Sequence, residues 1–207
     1  TLRLIMGLQK PTSGRVYIDG EDITDYSEEK MDEVRRHMGM VFQYSALFDS
    51  MTVGENVAFG LRQHTKTKEE EIRKIVAEEL HAVGLDGIEG RVPNDLSGGM
   101  KKRVGLARAV ALNPKIILYD EPTAGLDPVR SNDISRLIKA MQESMHPLSV
   151  VVTHDMESAF SVADRMVYLE NGRFEMIGTT EEFKNTTNEK VRYFITGGKE
   201  GREGGER

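Results

Sequence analysis

The stretch that decides the fold is Lys115-Ile116-Ile117-Leu118-Tyr119-Asp120-Glu121-Pro122-Thr123. Its unbroken apolar run is typical of a strand buried on both faces of a sheet, and two acids come where that strand ends. In α/β sheets this carboxyl edge is where ligands bind. There an Asp can hold Mg²⁺, and a following Glu can orient or deprotonate a water that attacks a γ-phosphate. The alternative is a surface turn that only ends a strand.

Strand-like and helix-like segments alternate on both sides of this stretch. Short β-branched and aromatic runs predict further strands at 16–18, 38–42, 148–152, 165–169 and 173–177. Asn171-Gly172 is a strong hairpin signal between the last two. Three helix-like segments follow one another in the middle of the chain, at 53–62, 68–83 and 99–112.

This pattern predicts an α/β fold with an inserted helical block. We expect a core formed by residues 1–50 and 113–198, with a helical subdomain at 51–112. Residues 199–207 contain no apolar side chain and are expected to form a charged flexible tail.

Composition excludes several classes of function. The 28 basic and 34 acidic residues give a net charge of −6, so no basic excess is present to bind a nucleic-acid backbone. We therefore expect no nucleic-acid partner. The absence of cysteine excludes disulfides, thiolate metal sites and thiol nucleophiles. The apolar runs are far shorter than the roughly 18–20 residues of a membrane-spanning helix.

A second motif is Leu96-Ser97-Gly98-Gly99-Met100, which opens a helix-like segment. Two glycines at a helix start bare its backbone N–H groups, and the helix dipole adds partial positive charge, so this turn can cradle a phosphate. Ser97 can add a hydroxyl donor. The alternative is an ordinary Ser-capped helix start. We interpret the basic residues that follow as the polar face of this helix: Lys101, Lys102, Arg103 and Arg108.

Three further polar residues lie at strand ends or just after the two acids. Gln43 follows Met40-Val41-Phe42 and could reach Mg²⁺ through its carbonyl oxygen. Asp127 follows Ala124-Gly125-Leu126, and His154 comes after the strand at 148–152, where it could contact a γ-phosphate and the attacking water. Each also has an ordinary explanation, because a lone histidine is more often packed or solvated and a glutamine at a strand end is unremarkable.

Taken in order, these motifs resemble the nucleotide-binding ATPase subunits of ABC transporters over nearly the whole chain. The resemblance identifies Gln43 as the Q-loop residue, Leu96 to Met100 as the signature turn, Asp120 as the Walker B acid, Glu121 as the catalytic glutamate, Asp127 as the D-loop acid and His154 as the switch histidine. It implies a P-loop NTPase (RecA-like) core and ATP and Mg²⁺ as cofactors.

The roles of these residues follow from the same resemblance. Glu121, His154 and Gln43 are the implied catalytic residues, and Asp120 with Gln43 is the implied metal site. The implied cofactor-binding residues are Ser97, Gly98, Gly99 and Asp127.

The resemblance also implies partners and location. In this family two ATPase subunits pack head to tail, and the signature turn of one closes on the ATP held by the other. We therefore expect a second ATPase subunit, as a homodimer, and membrane permease subunits. The expected location is peripheral, on the cytoplasmic face of a bacterial inner membrane.

The likeness is strongest to the Mla-type phospholipid transporters, through residues 44–57, Met100 and residues 191–197. It implies phospholipid transport, with Mce-type lipid-binding and STAS-type regulatory proteins as further partners. The C-terminal segment of that branch embraces the neighbouring ATPase, and residues 199–207 lack apolar side chains for such a contact. The alternative is the ATPase of an amino-acid or metal-ion importer.

The Gly-rich P-loop that this family carries before a helix resembling Thr1-Leu2-Arg3-Leu4-Ile5 is not in the sequence. Lys10-Pro11-Thr12-Ser13-Gly14 lacks its glycine spacing. We expect an N-terminally truncated ATPase that has little ATP affinity by itself, the alternative being a P-loop-less regulatory subunit.

The apolar residues near Gln43 are either core or a groove for a permease helix: Phe42, Tyr44, Leu47 and Phe48.

Overall fold

The computed structural model describes residues 1–198 and divides the chain into two compact units. The first unit runs from Thr1 to Thr153, and the second begins at His154. The tail predicted at 199–207 lies outside the described residues. The proposed assignment of residues 51–112 to a separate helical subdomain stays a prediction.

In the first unit, strands and helices alternate on both sides of the helical block as the sequence predicts, except that the predicted strand at 16–18 is part of a two-stranded antiparallel sheet with an unpredicted neighbour at 21–22. Its helices are α1 Leu2–Ile5, α2 Glu28–Arg35, α3 Val53–His64, α4 Glu69–Ala82, α5 Gly98–Val110 and α6 Pro128–Met145. Its strands are β1 Tyr17–Ile18, β2 Glu21–Asp22, β3 Met38–Val41, β4 Ile116–Asp120 and β5 Leu148–Val152. A 3-10 turn at Pro93–Asp95 leads into α5.

Strand β4 is the centre of a parallel sheet, with β3 on one side and β5 on the other. It is fully buried from Ile117 to Tyr119, which confirms the strand buried on both faces that the apolar run predicts. The register pairs Val41 with Tyr119 and Asp120 with Val152. Because parallel strands run in one direction, the residues that follow β3, β4 and β5 emerge at the same edge.

The helices α3, α4 and α5 contact one another, and α5 also contacts β3. In α4 the predicted apolar stripe is buried at Ile72, Val76 and Leu80. In α3 the side-chain amide of Asn56 is buried and makes hydrogen bonds of 2.8 to 3.2 Å with the backbone of residues 48–52. These bonds tie the connection between β3 and α3 to the helical block.

The second unit contains α7 Met156–Val162, β6 Arg165–Glu170, β7 Arg173–Thr179, α8 Thr180–Lys184 and α9 Glu189–Ile195. The predicted turn at Asn171-Gly172 joins β6 to β7, and both residues have the positive φ that a tight hairpin needs, 49° and 76°. Tyr168 of this hairpin packs on Phe194 of α9, with ring centroids 5.1 Å apart. Within residues 1–198 no helix is both long enough and apolar enough to cross a bilayer.

The phenol of Tyr119 gives the packing around β4 a pH signature. Its side chain is fully enclosed, and burial raises the pKa of Tyr119 to about 12. The unfolded chain releases this proton from about pH 10, whereas the folded protein keeps it until about pH 12. Folding stability is therefore lost as the pH rises through that window, by about 1.4 kcal/mol per pH unit.

We expect Tyr119→Phe to abolish this alkaline loss, because phenylalanine has no proton to release. Urea unfolding at a series of pH values between about 9 and 12 measures it, as a free energy of unfolding that falls less steeply in the variant. Tyr44→Phe, at a ring that is 84% exposed, is the control and follows the wild type. An identical pH dependence of the free energy of unfolding in all three proteins would contradict a raised pKa for the buried Tyr119 phenol.

Candidate functional site

Glu121 is held in an uncommon backbone conformation immediately after β4. Its φ is 47°, in the left-handed region that costs a residue other than glycine about 1–3 kcal/mol. Its N–H donates to the carbonyl of Val152 at 2.9 Å, and its carboxylate accepts a hydrogen bond from the Thr153 hydroxyl at 3.3 Å. The end of β5 thus fixes both the backbone and the side chain of this acid.

Asp120 and Gln43 start from the same edge of the sheet. Asp120 is the last residue of β4, and Gln43 follows the end of β3 by two residues, with both side chains half-buried. One carboxylate and one amide carbonyl oxygen fit Mg²⁺, which takes few protein ligands and completes its shell with phosphate oxygens and waters. The register of the sheet brings the two residues to the same edge, and their role as metal ligands stays a prediction.

The signature turn has the geometry of a capped helix start with an open front. Ser97 caps α5, and its hydroxyl accepts a hydrogen bond from the Met100 N–H at 3.3 Å. A Cβ added to Gly98 would meet no atom within 4 Å, and one added to Gly99 would meet only the Arg130 side chain, at 3.7 Å. Packing within residues 1–198 therefore requires neither glycine, and the first turn of α5 contains no acid to repel an anion.

Asp127 is the N-cap of α6, a role that the sequence motif does not reveal. Its carboxylate accepts a hydrogen bond from the Arg130 N–H at 3.0 Å and lies 3.4 Å from the guanidinium of the same residue. A cavity of about 180 Å³ has in its lining Ser97, Gly99, Arg103, Leu126 and Arg130. The starts of α5 and α6 thus face one opening.

His154 is the first residue of the second unit, and its side chain is exposed. The residue after it, Asp155, caps α7 by accepting a hydrogen bond from the Ser158 N–H at 3.2 Å. The histidine therefore lies in the connection between β5 and α7. Its predicted contact with a γ-phosphate stays a prediction.

The interpretation of the basic residues of α5 as a solvated polar face is wrong for Lys102. Its side chain is only 8% exposed, and its ammonium donates to the carbonyl of Gln43 at 2.9 Å and lies 3.5 Å from the carbonyl of Glu121. Burial lowers the pKa of Lys102, and the nearby Glu121 carboxylate opposes that shift. The Arg103 side chain is also directed toward the protein and not toward solvent. Its guanidinium donates to the Val83 carbonyl at 3.1 Å and pairs with the Asp133 carboxylate at 3.3 Å.

Arg108 is the third base of α5 that is directed toward the protein. Its guanidinium donates to the carbonyls of Ser45 and Ala46 at 2.6 and 2.7 Å, and burial lowers the pKa of Arg108. Ser45 and Ala46 both have positive φ, 64° and 44°. Gly105 lies between Lys102 and Arg108 on α5, and a Cβ added to it would come 3.3 Å from the Ser45 Cβ. We call residues 42–46 the Gln43 loop. Its backbone lies against α5 and is hydrogen-bonded to the side chains of that helix.

The sequence contains a signal for this arrangement. Lys102, Gly105 and Arg108 recur at helical spacing on one face of α5, and a glycine inside a helix costs about 1 kcal/mol relative to alanine. Such a glycine between two bases indicates a close approach by another part of the backbone.

Three of the apolar residues near Gln43 lie on the surface, which excludes the alternative that they are core. Phe42, Tyr44 and Phe48 are 40%, 84% and 41% exposed. Phe48 also packs on Phe59 of α3, with ring centroids 4.8 Å apart. The apolar patch is thus attached to the helical block through Phe48.

Comparison with known proteins gives a consistent family. The family model for ABC transporters matches residues 1–124. The "Probable ribonucleotide transport ATP-binding protein mkl" of Mycobacterium leprae is 44% identical over 196 residues, which cover 95% of this chain and 56% of that protein. The "Intermembrane phospholipid transport system ATP-binding protein MlaF" of Haemophilus influenzae is 41% identical over 200 residues, covering 97% of this chain and 76% of that protein.

A solved structure shares the fold. The ATP-binding cassette MJ0796, solved as a dimer in a post-hydrolysis state with ADP and Pi, superposes with a TM-score of 0.79 at 38% identity. The match covers 86% of this chain and 78% of that one. The expected mixed α/β fold of P-loop NTPases is confirmed. The chain spans little more than half the length of the mycobacterial relative.

The capping role of Asp127 can be separated from any role toward a ligand. Asp127→Ala removes the acceptor for the Arg130 N–H and is expected to lower the free energy of unfolding by about 1 kcal/mol, whereas Asp127→Asn retains a capping oxygen and stays within a few tenths. Urea unfolding measures both variants. Equal destabilisation by the two substitutions would contradict a capping role for the side-chain oxygen.

Proposed function

Because the chain belongs to the ABC transporter family of ATP-binding proteins, we propose that it hydrolyses ATP and thereby drives a membrane permease. Two copies dimerise around two Mg-ATP molecules, and their closure and reopening move the permease. ATP and Mg²⁺ are the proposed cofactors. The location proposed is the cytoplasmic face of a bacterial inner membrane, as a peripheral subunit.

The observation that carries this proposal is the fixation of Glu121 at the ligand-binding edge of a parallel sheet. Two hydrogen bonds from β5 and the residue after it hold the acid beside Asp120. A carboxylate held in this way suits the orientation and deprotonation of a water that attacks the γ-phosphate. Asp120 and Gln43 would hold Mg²⁺, which neutralises phosphate charge when bound. His154 is proposed to contact the γ-phosphate.

The signature turn supports a second copy as partner. Ser97, Gly98 and Gly99 form an uncrowded helix start, and no packing contact in the described part of the chain explains its two glycines. An anion brought by another molecule would find backbone N–H groups and no acidic side chain in the first turn of α5. In a head-to-tail homodimer that anion is the ATP of the other subunit, with Asp127 at the adjacent helix start.

Phospholipid is the proposed cargo. MlaF, named for intermembrane phospholipid transport, is 41% identical, and residues 44–57 and Met100 carry the Mla-type pattern. Mce-type lipid-binding and STAS-type regulatory proteins are then the expected further partners, and the exposed Phe42, Tyr44 and Phe48 are proposed to receive a permease helix. The mycobacterial relative is 44% identical and is named for ribonucleotide transport, so relatives of similar identity carry names for different cargoes. The alternative stays the ATPase of an amino-acid or metal-ion importer.

Co-purification of the permease followed by identification of its bound molecules separates these cargoes. The regulatory alternative, a subunit without a P-loop, is decided by the DNA upstream of Thr1. An in-frame Gly-rich segment ending in Lys-Ser or Lys-Thr there excludes that alternative.

Two substitutions test the hydrolytic role in the product of the complete open reading frame. Glu121→Gln removes the base but keeps the shape of the side chain, and kcat for ATP is expected to fall by about 100-fold or more. Ser97→Arg blocks the signature turn, and kcat is expected to fall by about 100-fold as well. Phosphate release measures both.

Lys101→Met is the control, because Lys101 lies on the same helix and is half-buried without a role in the proposed site. Its kcat is expected to stay within about twofold of wild type. Wild-type rates in both Glu121→Gln and Ser97→Arg would refute the proposed function. Circular dichroism of each variant verifies that the fold is retained.

A further inference from the structure

The ammonium of Lys102 lies at the junction of two loops of the proposed site. It donates to the carbonyl of Gln43 at 2.9 Å and lies 3.5 Å from the carbonyl of Glu121. Both acceptors are backbone atoms. These two contacts of the lysine therefore act on the backbone of Gln43 and Glu121 and not on the Gln43 amide or the Glu121 carboxylate.

Burial of a charge at this place needs a reason. Lys102 is 8% exposed, and transfer of an ammonium out of water is costly unless the group is hydrogen-bonded or paired. A well-packed apolar side chain at the same position of α5 would avoid that cost. What the lysine provides, and an apolar side chain cannot, is a set of donors that connects the loop after β3 to the turn after β4.

The helix that carries Lys102 also carries the signature turn. Ser97 caps its first turn, and Lys102 lies in the second. Farther along α5, Arg108 donates hydrogen bonds to the carbonyls of Ser45 and Ala46. Lys102 and Arg108 thus attach the Gln43 loop to α5 at two points. A shift of α5 would therefore change the positions of Gln43 and Glu121 together.

We propose that Lys102 is a positioning residue for ATP hydrolysis, which sets the backbone of Gln43 and Glu121 relative to each other and to the signature turn. This role rests on the proposed function. Loss of the two contacts leaves the nucleotide-binding groups intact but lets the metal ligand and the water-orienting acid drift apart. A misplacement of about 1 Å is enough to lower a rate by about 100-fold.

The test uses the product of the complete open reading frame and the variants Lys102→Met, Lys102→Arg and Lys101→Met. Methionine keeps most of the volume and removes every donor, arginine keeps the charge and two or more donors, and Lys101→Met is the matched control at the neighbouring position of α5. The measurements are kcat and KM for ATP, the Mg²⁺ concentration for half-maximal rate, Mg-ATP affinity by calorimetry, and the midpoint of thermal unfolding.

We expect Lys102→Met to lower kcat by about tenfold or more, with KM and Mg-ATP affinity within about twofold of wild type. The Mg²⁺ requirement should rise in that variant, because Gln43 is displaced. Lys102→Arg should recover kcat to within about threefold, and Lys101→Met should match the wild type. If Lys102→Met does not fold, Lys102→Gln, whose shorter amide does not reach both carbonyls, is expected to show the same kcat loss.

The proposal is overturned if the donor-free variant keeps kcat within twofold of wild type. It is also overturned if Lys102→Arg loses as much rate as Lys102→Met and both unfold at the same lowered temperature, since the side chain then only fills space. A wild-type protein without ATPase activity would refute the proposed function itself, and that result is visible before any variant is compared.

Discussion

The first unit depends on one buried parallel strand. Strand β4 has neighbours on both sides and is enclosed from Ile117 to Tyr119, so its register decides which residues meet at the carboxyl edge of the sheet. Asp120 ends that strand, and Glu121 is bound to the end of β5 through Val152 and Thr153. An acid in a left-handed conformation persists here because the neighbouring strand fixes its N–H and its carboxylate at the same time.

Helix α5 is the second organising element. Its start forms the signature turn, and its middle lets Ser45 approach Gly105 closely. The side chains of Lys102 and Arg108 donate hydrogen bonds to backbone carbonyls of the Gln43 loop. The signature turn, the Gln43 loop and the backbone of Glu121 are therefore connected through α5 inside one unit. In the proposed ATPase, this connection is the route by which closure on nucleotide at one element changes the geometry at another.

Local sequence signals predict the elements of this fold well. The apolar run of β4 predicts a buried strand, and Asn171-Gly172 predicts a tight hairpin turn. Both features depend on burial and backbone conformation, which a few consecutive residues determine. The contacts of Lys102 could not be predicted in the same way, because its partners are backbone carbonyls that any sequence provides. The left-handed Glu121 leaves no glycine as a signal, and the capping role of Asp127 is hidden because the same residue type serves both a cap and a ligand site.

In the proposed head-to-tail homodimer, the signature turn of one copy completes the nucleotide site of the other. Sedimentation equilibrium of the complete open reading frame product carrying Glu121→Gln, with and without Mg-ATP, measures this pairing. We expect Mg-ATP to double the molecular mass and the addition of Ser97→Arg to the same protein to return it to the single-chain value. An unchanged single-chain mass in a protein shown by calorimetry to have bound Mg-ATP would rule out the shared nucleotide site.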